Sequence, residues 1–282
     1  MTFRMDQVGF AYRERNRGAP REVFRALSVA IGDGECVAIL GGEGCGKSTL
    51  LSLLDGLLAP ERGTLLIDGR NPHAEPGHGR AARNRIGYAF QFPEEQFLHE
   101  TVAREFEDAL TARGVPDREV RDRMLSSLRF AGLDPEATPA RSPFTLSAGE
   151  SRRVVFALLH AARPVALLLD EPTAGLDAPG AACLTKLVAE VKREGGTIVV
   201  ATHDVDFAAE NADRVLMLGD GGVAAEGSAD EMLTSGALLA GFGYELPETV
   251  ALAERLRKEG KSIPGNALRR SALLPFITRR SP

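Results

Sequence analysis

The sequence predicts an α/β fold with a mainly parallel sheet covered by helices, and three observations carry that prediction. Short, wholly apolar runs alternate with segments whose apolar residues repeat at helical spacing. One such run, Cys36–Leu40, feeds a glycine-rich turn and then an apolar helix. Another, Val165–Leu169, ends on two adjacent carboxylates, Asp170 and Glu171.

Taken in order, Cys36–Leu40 is read as a buried strand, Ser48–Leu57 as a helix, Pro60–Gly63 as a turn and Thr64–Ile67 as a strand. Arg70–Arg85, rich in Pro, Gly, His and Arg, reads as a surface loop in which His73 and His78 are solvated rather than metal-bound. After a strand at Ile86–Phe90 comes a helical block. Val102, Phe106, Ala109 and Leu110 share one helical face, and Val120, Met124, Leu128 and Ala131 share another. Pro116 suits the start of the second helix and Gly132 its end. Strands follow at Val165–Leu169 and Thr197–Ala201, so a helical insertion near Gln91–Arg141 interrupts the sheet.

Bulk properties narrow the function. The 282 residues are 44% hydrophobic and 26% charged, an ordinary globular balance. A net charge of -5 gives no broad positive field for nucleic acid. No signal peptide and no apolar run of about 20 residues is visible, so a soluble chain is expected, with any membrane role through a partner. Cys36, Cys45 and Cys183 are odd in number and lack metal-ligand spacing, which fits a reducing compartment.

Gly41-Gly42-Glu43-Gly44-Cys45-Gly46-Lys47-Ser48 matches G-x-x-x-x-G-K-[ST] between a strand and a helix. Such a loop turns backbone N–H groups onto phosphate oxygens and adds a helix N-terminus. Lys47 supplies a point charge for the β- and γ-phosphates, and Ser48 a hydroxyl for Mg²⁺. Asp170 would hold the same Mg²⁺ through water, with Glu171 as general base or water positioner.

Pro172-Thr173-Ala174-Gly175-Leu176-Asp177 continues the acidic strand end, and with it the chain resembles an ABC ATPase over roughly residues 2–235. Leu146-Ser147-Ala148-Gly149-Glu150 resembles the LSGGQ signature, Ala174–Asp177 the D-loop, and His203 the switch histidine. Gln91 resembles the Q-loop glutamine, which also meets the metal, and Tyr12 the aromatic that stacks on adenine. The resemblance implies the P-loop NTPase fold of that family: a mainly parallel core sheet, an antiparallel β subdomain, a helical signature subdomain at about 91–162 and a short α-rich C-terminal extension at 236–282 after a nucleotide-binding domain at 1–235. It implies ATP and Mg²⁺ as ligands, and two cassettes pairing head to tail. Thr49 and Asp177 then join the nucleotide contacts, and Ser147, Gly149 and Glu150 serve the other cassette's ATP.

Two departures stand out. Ala148 replaces a glycine that can take φ > 0, and Glu150 brings negative charge to a phosphate-binding helix terminus; both are tolerated variants, or else the signature weakens one composite site. Cys45 stands where the family usually has serine, and a thiol beside Lys47 at a helix N-terminus is expected to react readily, with nucleotide protecting it.

Phe90-Gln91-Phe92-Pro93-Glu94-Glu95-Gln96-Phe97 resembles the energy-coupling-factor transporters, as does Leu246–Gly260. Val250, Ala253 and Leu256 form a stripe suited to dimerisation or to packing on the core, and Glu254 and Lys258 an i,i+4 pair. That resemblance implies a second ATPase subunit, a transmembrane coupling protein and a substrate-binding membrane protein, at the cytoplasmic face of the cell membrane, importing a vitamin or a cobalt or nickel ion. A conventional importer ATPase and a non-transport ABC module are the alternatives. The basic stretch from Arg269-Arg270 to Arg279-Arg280 is open between a disordered tail and a partner contact.

Overall fold

Three strands in which every residue is buried form the centre of the molecule: Cys36–Gly41, Ala166–Asp170 and Thr197–Ala201. A strand can be apolar throughout only where both its faces are covered, the environment of a parallel sheet flanked by helices. The computed structural model describes residues 1–13, 20–74, 77–92, 96–263 and 267–277. In chain order the strands are β1 (Phe3–Tyr12), β2 (Arg21–Ile31), β3 (Cys36–Gly41), β4 (Arg62–Ile67), β5 (Ile86–Ala89), β6 (Ala166–Asp170), β7 (Thr197–Ala201), β8 (Arg214–Gly219) and β9 (Gly222–Ser228). The helices are α1 (Lys47–Leu54), α2 (His78–Arg83), α3 (Val102–Thr111), α4 (Asp117–Phe130), α5 (Ala148–Ala162), α6 (Ala178–Arg193), α7 (Val205–Asn211), α8 (Ala229–Leu233), α9 (Gly236–Gly241), α10 (Glu248–Lys258) and α11 (Arg270–Ile277).

The larger sheet runs β5-β6-β7-β3-β8-β9, parallel except for β9 at its edge. A smaller antiparallel sheet, β2-β1-β4, covers one face. Strand alternation divides the core in two. Val37, Ile39, Leu168 and Val199 pack with the small sheet and α1, whereas Ala38, Leu40, Leu167, Leu169 and Val200 face the layer of α3 to α6. The helical faces read from the sequence are the buried ones: Val102, Phe106 and Leu110 on α3, and Val120, Met124 and Leu128 on α4. Both pack on α5.

Three local expectations change, and the α10 stripe takes one of its two expected roles. Helix α1 ends at Leu54, not Leu57, because Gly56 takes a left-handed φ of 73°. The Arg70–Arg85 segment contains α2, a single short turn over His78–Arg83. On α10, Val250 belongs to the main core, while Ala253 and Leu256 pack with Ile263, Ala267 and Leu273. The apolar stripe is therefore consumed within the chain. The ion pair on that helix is Arg255–Glu259, at 3.7 Å, instead of Glu254–Lys258.

Asp55, at the end of α1, is buried, and burial pushes its carboxyl up to about 7 against the nearby Arg83 and Arg113 guanidinia. The native chain thus keeps a proton that the unfolded chain releases near the ordinary carboxylate pKa of about 4. The resulting stabilisation is fully present below that pH and is lost as pH rises through about 7. Urea unfolding from pH 5 to pH 8 should show wild type losing stability relative to Asp55→Asn, whose side chain does not titrate.

Candidate nucleotide site

Adjacent strands β6, β7 and β3 deliver the first set of candidate residues. Residue Asp170 lies opposite Ala201 in the ladder, and Ala201 opposite Ile39. The three carboxyl ends then release Glu171, His203 and the Gly41–Gly46 turn on the same side of the sheet. Gly46 caps α1 at φ 107°, and a Cβ there would lie 2.7 Å from Val23 Cγ1 and 2.8 Å from Phe24 Cζ. Only glycine meets both constraints.

Within this loop Lys47 Nζ donates to the carbonyls of Gly41 (2.8 Å) and Gly42 (3.3 Å) and lies 3.9 Å from Glu171 Oε1. Glu171 takes a left-handed φ of 46°, a conformation that costs a non-glycine residue on the order of 1 kcal/mol or more. The bend turns its carboxylate back over the strand ends. Its Oε2 accepts from the His203 backbone N–H at 3.2 Å and lies 2.7 Å from His203 Nδ1.

Asp170 is buried, and that burial raises its carboxyl above the usual range, while a hydrogen bond from Ser48 and the charge of Lys47 act the other way. Among the described residues its Oδ1 has no hydrogen-bond partner. A desolvated carboxylate oxygen left unpaired is costly unless a ligand satisfies it. Together with the Ser48 hydroxyl it makes a pair of hard oxygen donors, the chemistry that Mg²⁺ takes. Thr49 Oγ1 lies 3.2 Å from Tyr12 Oη, and the Tyr12 ring stands edge-on to Phe10 with its outer part exposed. Cys45 is half-buried; Glu43 and Gly44 are on the exposed rim of the loop.

A second set gathers at the start of α5. Ser147 caps that helix, and Glu150 completes a capping box by accepting from the Ser147 N–H at 2.9 Å. Arg141 pairs with the same carboxylate at 2.5 Å. These bonds hold the Glu150 carboxyl down at about 2, the Arg141 hydrogen bond being the largest cause. Its charge is therefore spent inside the chain rather than presented to phosphate. Ala148 is the first residue of α5 and has no left-handed φ, so glycine's freedom is not needed there. Gly149 does need to be small: a Cβ would sit 2.8 Å from Asp177 Oδ2. Asp177 in turn caps α6, accepting from Gly180 N–H at 2.8 Å. The structure thus sets Asp177 beside the signature residues.

With this geometry in hand, comparison with known proteins is direct. Residues 24–174 match the ABC transporter family. The energy-coupling factor transporter ATP-binding protein EcfA2 of Symbiobacterium thermophilum is 43% identical over 84% of this chain and 82% of its own length. Its Geobacillus kaustophilus counterpart is 37% identical over 93% and 91%. This chain belongs to the ABC transporter family, among its energy-coupling factor ATPases. Solved structures agree. An ATP-binding cassette captured as a dimer after hydrolysis, with ADP and Pi bound, superposes with a TM-score of 0.71 at 28% identity, covering 80% of this chain and 98% of that one. The cbiO1 protein of Clostridium perfringens, part of an ABC transporter complex named cbiONQ, gives 0.70 at 29% identity, covering 92% and 96%.

Not every sequence-predicted residue of this ATPase joins a set. Gln91 is exposed, and its backbone carbonyl accepts from Arg152 of α5 at 3.3 Å; among the described residues it makes no hydrogen bond to Asp170 or Glu171. The motif residues Pro93, Glu94 and Glu95 lie outside the described residues, as do Arg279 and Arg280. Two contributors escaped sequence reasoning. Arg141 neutralises Glu150 from nine residues away, a spacing that no helical or strand rule connects. Tyr244 hydrogen-bonds the first glycine of the phosphate loop from the far end of the chain.

Two outcomes test this site. Gly46→Ala should weaken ATP binding about 100-fold, since left-handed strain costs about 1–2 kcal/mol and overpacking about 1–3 kcal/mol; equilibrium titration with a fluorescent ATP measures it. Ala148→Gly combined with Glu150→Gln should change the steady-state hydrolysis rate by no more than about twofold, as for surface changes of about 0.5 kcal/mol.

Proposed function

We propose that this ATPase drives an energy-coupling-factor importer, and the observation that carries the chemistry is the Glu171 carboxylate held between Lys47 and His203. In this reading the Gly41–Ser48 loop cradles the ATP phosphates, with Thr49 beside them and Tyr12 against the adenine. Lys47 transfers from its own loop carbonyls to the β- and γ-phosphates, because a charge-assisted bond to phosphate is stronger than one to a neutral carbonyl. Ser48 and Asp170 would hold Mg²⁺, which would screen the phosphate charge. Glu171 accepts the proton of the attacking water, and His203 orients that carboxylate and meets the γ-phosphate.

Ser147 and Gly149 face the ATP of a second cassette, so that two chains close on two nucleotides and reopen after hydrolysis. The helix dipole of α5 favours the phosphate there. Residues 1–235 would carry this chemistry and 236–282 would form an extension to it. Gln91, near the helical layer, would report the nucleotide state to a transmembrane coupling protein, and a small membrane protein would capture the vitamin or the cobalt or nickel ion. The names of the relatives support the transport assignment. No described helix is long and apolar enough to cross a membrane, which suits peripheral attachment through such partners at the cytoplasmic face.

Glu171→Gln should lower hydrolysis by about 10²- to 10⁴-fold while ATP still binds, the signature of a lost general base; phosphate release and nucleotide titration on the same preparation measure both. Detergent extraction from native membranes should recover a second cassette, one coupling protein and a small membrane protein. A pair of conventional permeases would replace the transport reading without touching the ATPase chemistry.

A further inference from the structure

The segment that follows α9 reaches both walls of the nucleotide site. Tyr244 Oη accepts from the Gly41 N–H and donates to the Gly41 carbonyl, both at 2.9 Å. Four residues later the Glu248 N–H donates to Asp206 Oδ1 at 2.7 Å, and Asp206 sits three residues after His203. The Arg270 N–H donates to Glu210 Oε2 at 3.0 Å on the same helix α7. Residues 244–248 therefore span from the phosphate loop to the helix behind the switch histidine. The Tyr244 ring is anchored in the main core, and its N–H is fixed on the Leu239 carbonyl at 2.9 Å.

The Gly41 carbonyl is the point of interest, because two donors share it: Tyr244 Oη and Lys47 Nζ. If Lys47 turns to phosphate, that carbonyl loses one of its two partners. A half-buried carbonyl with no partner is penalised, so a residue that keeps it satisfied lowers the cost of releasing the lysine. Burial raises the Tyr244 hydroxyl above its ordinary pKa, so it is protonated and able to donate throughout the neutral range. Tyr244 lies close enough to Cys45 and Glu171 for both to bear on its ionisation. Its hydroxyl is engaged at both ends by Gly41, so its part is to hold the loop.

We infer that Tyr244 is a positioning residue for ATP binding, securing Gly41 so that Lys47 can leave its own loop for the phosphates. The inference rests on the Gly41–Ser48 loop being the nucleotide site and adds the C-terminal segment to it. Because the loss falls on binding rather than on the transition state alone, it should show in KM more than in kcat.

The test uses the full-length chain and Tyr244→Phe, which removes only the hydroxyl. Three quantities are compared with wild type: the KM and kcat of ATP hydrolysis, the melting temperature, and alkylation of each cysteine by iodoacetamide without nucleotide, read by mass spectrometry. Expected are an ATP KM raised about tenfold, as for loss of one hydrogen-bonding group, kcat changed far less, and faster labelling of Cys45. The buried Cys36 and Cys183 stay protected. Wild-type values of both KM and Cys45 labelling would overturn the inference. So would a lowered melting temperature with all three cysteines exposed, since that marks a merely structural role. Wild-type protein that fails to bind ATP would instead overturn the nucleotide-site reading itself.

Discussion

The arrangement of this molecule depends on three neighbouring strands that can be buried on both faces. In β6, β7 and β3 the only polar side chains are at strand ends, Thr197 at the start of β7 and Asp170 at the end of β6. Parallel pairing in register then brings three chain ends to one edge of the sheet, where helix N-termini and backbone N–H groups are also concentrated. Charges that could not survive in the core are tolerated there because each has a counterpart: Lys47 against Glu171, Ser48 against Asp170, His203 against Glu171. Asp170 is satisfied on one side only. Its Oδ1 is buried without a hydrogen-bond partner among the described residues, a position open to a cation.

How much of this could be read from the sequence follows from how local each feature is. The phosphate loop was legible because its requirement is local: glycines where the chain must bend, then lysine and serine at a helix start. The acidic strand end was legible because apolar runs rarely close on two carboxylates. Helix faces on α3 and α4 followed from periodicity. What could not be read depends on distant parts of the chain meeting. Nothing near Glu150 shows that Arg141 takes up its charge, and nothing in a tail tyrosine shows that it reaches Gly41. The α10 stripe was ambiguous for the same reason, since one apolar face serves equally for intrachain and interchain packing. In the folded chain Val250 joins the main core, and Ala253 and Leu256 pack with Ile263, Ala267 and Leu273.

The departures at the signature illustrate how context changes what a substitution means. Read as isolated letters, Ala148 and Glu150 remove flexibility and add repulsion. In place, residue 148 is already helical, so alanine costs nothing and carries higher helix propensity than glycine. Glu150 is the third helical residue after a serine cap, where a carboxylate satisfies an otherwise unpaired N–H. Its negative charge is matched by Arg141. Steric demand has moved instead to Gly149, held small by Asp177, so the D-loop aspartate shapes the signature within one chain.

A nucleotide loop of this kind faces opposing demands. It must be rigid enough to present its N–H groups, yet its lysine must leave bonds already made to Gly41 and Gly42. Rigidity comes from below, where Val23 and Phe24 fill the space under Gly46, and from behind, where the hydroxyl of Tyr244 grips Gly41. Freedom comes from redundancy: the Gly41 carbonyl has two donors, so losing one does not strand it. The same C-terminal segment also meets α7 behind His203, so one stretch of four peptide units carries both the tether of the phosphate loop and a contact to the helix that follows the histidine.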